Sequence, residues 1–200
     1  MLPEIAFNLS RGCGNPTGFS NLQRGDVVVD FGCGGGIDVI LAANKVGSEG
    51  RVIGIDFTNQ MIGRANQAAV EAGLQDRIEF LGELATVELV TLYRRCQVFV
   101  FPSTAETFGN PLVEAMASGA PVACSNAAAI PEVAGDGAIF FEPGDAGDMA
   151  DAIRRLLDDG AFSREMSEKA LARARMFSWR RTATETIAFL KSAAERTVDR

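Results

Sequence analysis

A run of glycines beside two aspartates is the first feature of the chain that could bind a ligand. Residues 30–36 read DFGCGGG, and Asp56 closes the next apolar run. Gly32, Gly34 and Gly36 let the backbone approach a ligand closely, and a helix that starts after them favours an electron-rich group. An acidic side chain at the end of the next strand can bind both hydroxyls of a ribose. The pattern favours a nucleoside site, and the alternative is a tight strand–helix turn with no ligand.

A pair of glutamates in the second half of the chain forms the other candidate site. Seven residues separate Glu106 from Glu114, and residues 108–111, FGNP, lie between them. Pro111 predicts a helix start, whose free N–H groups can bind phosphate. Glu114 then lies near the start of this helix, where a charge also favours the helix macrodipole without any ligand.

The elements that must position these groups alternate along the chain. Short runs rich in Val, Ile and Phe are separated by stretches with helical apolar spacing, which predicts a parallel sheet covered by helices on both faces. The predicted fold class is α/β, a Rossmann-like doubly wound sheet of about six strands in the order 3-2-1-4-5-6, in one domain over 1–200. The strands are predicted at 26–32, 51–56, 77–82, 97–103, 121–125 and 137–143. Residues 147–195 are predicted to be helical with a break near Gly160, and Trp179 to anchor the last helix to the sheet.

Composition excludes several classes of function. The net charge of −7 argues against a nucleic-acid or anionic-membrane binder, because phosphate contacts need clustered basic residues. No apolar run is long enough for a membrane span. The four cysteines are scattered and histidine is absent, so we expect no metal site and a cytoplasmic chain with reduced thiols. The oligomeric state stays open.

Residues 8–85 resemble class I S-adenosylmethionine (SAM)-dependent methyltransferases. The motifs run from VVDFGCGGGIDV through GRVIGIDFTNQMIGRANQ to IEFLGE, and the preceding RGCGNP is most similar to the arsenite methyltransferase branch. The resemblance implies SAM or S-adenosylhomocysteine as the cofactor. It places Asp30, Gly32, Gly34 and Gly36 at the methionine end of SAM and Asp56 at the ribose. Phe57, Thr58 and Met61 would lie beside the adenine, and Glu83 near the amino group of the adenine. Cys13 would belong to an arsenic site.

Residues 87–194 resemble the donor domain of family 4 retaining glycosyltransferases, which have the two-domain GT-B architecture. The motifs are VFVFPSTAETFGNPLVEAMASGAPVACSNAAAIPEVAGDGAIFFEPGD and the later RARMFSWRRTA. The resemblance implies that Glu106 contacts the donor sugar and Glu114 the nucleotide ribose, which makes them the catalytic candidates. The same crevice would include Ser103, Thr104, Gly109 and Asn110. The family's diphosphate-binding cations belong to a segment that is replaced here, and Arg51, Arg94 and Arg95 are not predicted to take that role.

The two resemblances predict a chimera that changes family near Gly82, with a methyltransferase-like half over 1–82 and a glycosyltransferase-like half over 83–200. We interpret it as an engineered or recombined scaffold with residual SAM or nucleoside binding and no turnover. The alternatives are a SAM-dependent methyltransferase and a glycosyltransferase donor-domain fragment that binds a sugar nucleotide. Both half-sites are expected to converge on one crevice for a small nucleoside-type ligand. The carboxylates of this crevice would favour the positively charged SAM over a negatively charged diphosphate.

Overall fold

The computed structural model describes residues 22–198, with side chains described to residue 194, and Cys13 lies outside this part of the chain. Strands and helices alternate through it as the sequence predicts. The strands are β1 (Val27–Phe31), β2 (Arg51–Ile55), β3 (Ile78–Leu81), β4 (Phe99–Phe101), β5 (Val122–Ser125) and β6 (Ile139–Phe141). The helices are α1 (Ile37–Val46), α2 (Asn59–Glu71), α3 (Thr86–Arg95), α4 (Asn110–Ser118), α5 (Ile130–Ala134), α6 (Ala146–Asp158), α7 (Gly160–Ala174) and α8 (Trp179–Val198).

The six strands form two parallel sheets rather than one. In the first sheet β2 pairs with β1 and β3, and in the second β5 pairs with β4 and β6. The α/β class and the neighbours within each half agree with the prediction. The continuous six-stranded sheet in the order 3-2-1-4-5-6 is not formed, because β1 and β4 are not joined by a hydrogen-bonded ladder.

Aromatic side chains join β1 to the second sheet instead. The ring of Phe31, the last residue of β1, stacks on Tyr93 of α3 at 5.0 Å and lies 6.4 Å from Phe99, the first residue of β4. Among the described residues, β1 and β4 are thus linked by side-chain packing and not by a ladder.

The buried core is distributed differently in the two sheets. One cluster fills the first region, where α1 and α2 cover β1–β3. The second sheet has a cluster on each face: Val122 and Cys124 of β5 pack towards α4 and α5, and Ala123 packs towards α6. Successive residues of a strand point to opposite faces, which explains this division.

Helix α8 does not pack as predicted. Trp179 is 85% exposed, and Ile187, Phe189 and Leu190 of the same helix are exposed as well. The predicted anchoring of α8 by Trp179 is therefore wrong. The reason is that α8 follows the last sheet element and no described apolar surface covers its indole. Within residues 22–198 no helix is both long and apolar enough to cross a membrane.

Candidate nucleoside and sugar-nucleotide site

The glycine-rich turn follows β1 and leads into α1. Gly32, Gly34 and Gly36 have φ angles of 78°, 51° and 82°, which side chains with a Cβ rarely adopt. The amides of Gly32 and Cys33 donate to the carbonyl oxygen of Ile55 at 2.8 and 3.0 Å. The turn is thus bound to the end of β2, and these two amides are not available to a ligand.

Asp56 lies directly after β2 and faces this turn. It is 9% exposed, and its Oδ2 accepts a hydrogen bond from the Gly34 amide at 3.0 Å. Its Oδ1 accepts one from the Thr58 amide at 2.8 Å. A carboxylate has about four acceptor positions, so these bonds fix the side chain and leave capacity for a ribose hydroxyl.

Asp30, the fourth residue of β1, lies next to the turn and is partly buried. Burial, followed by the nearby carboxylates of Asp38 and Asp56, raises its pKa to about 7. The side chain therefore carries a partial charge near neutral pH. A sulfonium or ammonium group beside it would favour the ionised form.

The residues predicted beside the adenine lie at the ends of β2 and β3. Phe57 follows Asp56 and is 81% exposed, so its ring is open to stacking. Thr58 and Met61 are half-buried at the start of α2, and Glu83 is exposed after β3. All of them lie at the carboxyl edge of the first sheet, where a ligand of an α/β fold is expected. In the described part of the chain no cluster of His, Cys, Asp or Glu side chains is large enough to hold a metal ion.

The second group of residues surrounds the start of α4. Ser103 and Thr104 follow β4, and the backbone oxygen of Ser103 accepts a hydrogen bond from the hydroxyl of the buried Ser125. The backbone oxygen of Glu106 accepts one from the Ala129 amide at 3.4 Å. These bonds fix the loop to β5 and to the segment before α5.

Helix α4 begins at Asn110, after Gly109. Gly109 has a φ of 83° and a Cβ there would lie 3.2 Å from the Phe101 ring, so the position favours glycine. No side chain caps this helix, and its first turn has no acidic residue. Pro111 has no N–H, and the amides of Leu112 and Val113 donate to the carbonyl oxygen of Gly109 at 3.0 and 3.3 Å. In this first turn only the amide of the exposed Asn110 has no described acceptor.

Glu114 has a partner that sequence reasoning missed. The hydroxyl of Tyr93 in α3 donates to Glu114 Oε2 at 3.4 Å. Tyr93 is 2% exposed, and burial followed by the charge of Glu114 raises the pKa of its phenol well above the usual range. The available signal was a single tyrosine on the apolar face of the 86–95 helix, four residues after Leu89.

Through the same tyrosine, a path of contacts runs from Glu114 of the second half-site to the glycine-rich turn. Phe31, against which Tyr93 stacks, immediately precedes Gly32 of the glycine-rich turn. The path from Glu114 to the turn therefore passes through two stacked rings, those of Tyr93 and Phe31. No described contact joins Glu106 to the turn, so the convergence of the complete half-sites stays a prediction.

Two of the basic residues considered for the diphosphate, Arg51 and Arg94, lie at the other end of the sheets. Arg51 starts β2 and forms an ion pair with Glu79 at 3.2 Å. Arg94 lines a cavity of about 350 Å³ with Gln97 and Pro121, close to the amino ends of β4 and β5. The ion pairs found among the described side chains do not include Glu106 or Glu114.

Two family models match the chain. Residues 52–173 match "Glycosyl transferases group 1", and residues 14–85 match "Protein-L-isoaspartate(D-aspartate) O-methyltransferase (PCMT)". Both resemblances predicted from the sequence are thus confirmed, and the arsenite branch stays a prediction. The glycosyltransferase match starts before Gly82, and residues 52–85 fit both models. A strand–helix–strand unit, β2–α2–β3, is common to both kinds of Rossmann-like fold, which explains the overlap.

Curated relatives include two mannosyltransferases. The chain is 38% identical over 119 residues to O-antigen chain mannosyltransferase B of Escherichia coli, covering 59% of this chain and 31% of the relative. It is 36% identical over 138 residues to MMP alpha-(1->4)-mannosyltransferase of Mycolicibacterium hassiacum, covering 67% and 34%. The chain therefore spans about a third of the length of these relatives.

Solved structures share the fold. Sucrose-phosphate synthase from Thermosynechococcus elongatus superposes with a TM-score of 0.64 at 24% identity, covering 92% of this chain and 52% of that one. Anabaena HepE in complex with UDP and glucose gives a TM-score of 0.60 at 23% identity, covering 86% and 49%. At this level of identity the similarity establishes a common Rossmann-like architecture.

Proposed function

Because the chain belongs to the glycosyl transferases group 1 family, we propose that it binds the nucleotide of a sugar nucleotide in the crevice at the start of α4. The supporting observation is the arrangement of Glu114, a residue of α4 whose carboxylate accepts a hydrogen bond from the hydroxyl of Tyr93. Glu106 lies in the loop that leads to the same helix. A carboxylate can accept from ribose hydroxyls, and helix amides can bind a phosphate.

The relatives suggest which sugar nucleotides to offer. Two of them are named mannosyltransferases, and a protein of the same fold was solved with UDP and glucose. We therefore propose a hexose attached to a nucleoside diphosphate as the ligand class. GDP-mannose and UDP-glucose are the first compounds to test.

We propose further that binding is not followed by transfer. A leaving diphosphate develops negative charge that a basic residue or a metal ion must stabilise. Among the described residues, Arg51 and Arg94 lie towards the opposite ends of the strands. The matches of two different family models support our interpretation of the chain as a fusion of two Rossmann-like halves, engineered or recombined. We also propose a cytoplasmic location.

A second candidate function is SAM or S-adenosylhomocysteine binding by the first half. Two backbone amides hold the Asp56 carboxylate beside the glycine-rich turn, and the exposed ring of Phe57 lies next to it. Such an arrangement suits a ribose and an adenine. Methyl transfer by this half is the corresponding enzymatic alternative.

Isothermal titration calorimetry against GDP-mannose, UDP-glucose, SAM and S-adenosylhomocysteine tests both candidates. We expect Glu114→Ala to weaken the sugar nucleotides only, and Asp56→Ala to weaken the SAM-type ligands only. Glu168→Ala, which removes an exposed carboxylate on α7, is the matched control and should change neither. If neither GDP-mannose nor UDP-glucose binds the unaltered chain, the proposed function is wrong.

A further inference from the structure

We propose that Tyr93 is a positioning residue that orients the Glu114 carboxylate towards the ribose of the bound nucleotide. This inference rests on the proposed function, because Glu114 must have a ribose to hold. It assigns a role in ligand selection to a residue that lies outside both predicted half-sites.

The ring of Tyr93 is fixed on two sides. It stacks on Phe31 with 5.0 Å between centroids and an interplanar angle of 25°. Its edge contact with Phe99 has a centroid distance of 5.4 Å and an angle of 80°. Aromatic pairs at these distances and angles are favourable. The direction of the hydroxyl is therefore fixed, and it points towards Glu114 Oε2.

Glu114 differs from Tyr93 because it is on the surface. An exposed glutamate has several rotamers of similar energy, and fixing one of them costs side-chain entropy. A hydrogen bond from a fixed hydroxyl favours one rotamer before the ligand arrives, so less entropy is lost on binding. The distance of 3.4 Å is long for an O–H···O bond, and we therefore expect a moderate effect.

In this hydrogen bond the phenol of Tyr93 is the donor and the Glu114 carboxylate is the acceptor. The phenol of an ordinary tyrosine is already protonated at neutral pH, and burial and Glu114 raise the pKa of Tyr93 further, so the hydroxyl donates. It occupies one acceptor position of Oε2. Oε1 and the remaining positions are then available to the ribose hydroxyls.

Comparing a nucleotide with its analogue that lacks the ribose hydroxyls separates positioning from general damage. The ligand pairs are UDP with 2′,3′-dideoxyuridine diphosphate, and GDP with 2′,3′-dideoxyguanosine diphosphate. In the unaltered chain the ribonucleotide should bind more tightly. Tyr93→Phe keeps the ring and should reduce that preference about three- to tenfold, with the dideoxy affinity unchanged. Glu114→Ala should remove the preference.

A measurement without ligand tests the contact itself. Tyr93 is the sole tyrosine of the chain, so a protein labelled with ¹³C at tyrosine Cζ gives one side-chain resonance. Glu114→Ala should move this resonance, and Glu106→Ala should leave it in place. A resonance that Glu114→Ala does not move would show that the hydrogen bond is absent, and would overturn the inference.

The outcomes distinguish this inference from the proposed function. If the unaltered chain binds neither UDP nor GDP, both are wrong. If it binds them and Tyr93→Phe leaves the ribose preference unchanged, the proposed function stands and the role of Tyr93 is wrong. Equal weakening of the ribose and dideoxy ligands by Tyr93→Phe would indicate a structural role alone, and would also overturn the inference.

Discussion

The carboxylates of the two sheets are held in different ways. In the first region Asp56 is nearly buried and accepts from the amides of Gly34 and Thr58. In the second region Glu114 is exposed and has one long hydrogen bond from a tyrosine. Asp56 therefore contributes to the turn itself, whereas Glu114 is available for a ligand.

The two regions also differ in how many faces of their sheet carry a buried cluster. The first sheet has one described buried cluster, and the second has clusters on both faces. Phe31 is the point of contact, because it extends from β1 into the aromatic cluster around Tyr93 and Phe99. Side-chain packing at Phe31 therefore adds to the covalent connection between the two sheets.

The largest expected effect comes from cavities placed in each core. Ile40 in the first region and Leu112 in the second are fully buried, so Ile40→Ala and Leu112→Ala should each lower the free energy of unfolding by about 2–5 kcal/mol. Because the Phe31 contact couples the halves, each variant should shift one common transition. Urea denaturation followed by circular dichroism checks this.

Two transitions, each shifted by only one of these variants, would contradict the coupling and the single-domain prediction for residues 1–200. Phe31→Ala tests directly whether this ring couples the two halves. It removes the ring at the junction without altering either sheet's ladder, and should broaden the transition or split it.

The next effect is a pH dependence that belongs to the first region. The pKa of Asp30 is about 7 in the folded chain and 3.8 in the reference state. Between these values the folded state holds a proton that the unfolded state has lost, so stability falls as the pH rises. From pH 5 to pH 8 we expect a loss of about 2 kcal/mol.

Measuring the free energy of unfolding at both pH values, with Asp30→Asn as the matched variant, tests this. The chain has no histidine, so no other side-chain class ordinarily titrates across that window. Asp30→Asn should flatten the profile. A profile that is already flat in the unaltered chain would show that Asp30 titrates normally.

The third effect compares the two carboxylates directly. Asp56→Ala leaves the amides of Gly34 and Thr58 without their acceptor, and should cost about 1–3 kcal/mol of folding stability. If SAM binds, the same change should weaken it by about 1–3 kcal/mol through the lost ribose contact. Glu114→Ala removes an exposed side chain and should cost less than about 1 kcal/mol.

Thermal denaturation of both variants provides the stability comparison, and calorimetry with SAM provides the affinity. Equal losses of stability would mean that Glu114 is as integral to the fold as Asp56. An unchanged SAM affinity in Asp56→Ala would remove Asp56 from the site.

Local patterns predicted much of this structure. Strand–helix alternation was visible in the apolar spacing, and the helix break expected near Gly160 is found between α6 and α7. The hydrogen bond from the Thr58 amide to Asp56 is also local, because an aspartate commonly accepts from the amide two residues on.

Contacts between distant segments were not predictable in this way. The division into two sheets accompanies the packing of Phe31, Tyr93 and Phe99, and the sequence of neither β1 nor β4 specifies whether the two strands pair. The Tyr93–Glu114 contact joins residues of two different helices, 21 positions apart in the chain, and no local sequence pattern relates them. The spacing of Glu106 and Glu114 identified the candidate site. The packing of Tyr93 determines that Glu114 receives its hydrogen bond.

The smallest effect concerns α8, which belongs to neither core. Trp179 is 85% exposed, so Trp179→Ala should change the free energy of unfolding by less than about 0.5 kcal/mol. The indole is the chain's single tryptophan, and its fluorescence should have the emission maximum of a solvated side chain and be quenched readily by iodide. An emission maximum shifted to the blue and protected from iodide would mean that α8 is packed in solution. In that case Trp179→Ala should cost several kcal/mol, as the cavity variants do, because a buried tryptophan contributes as much as any core residue.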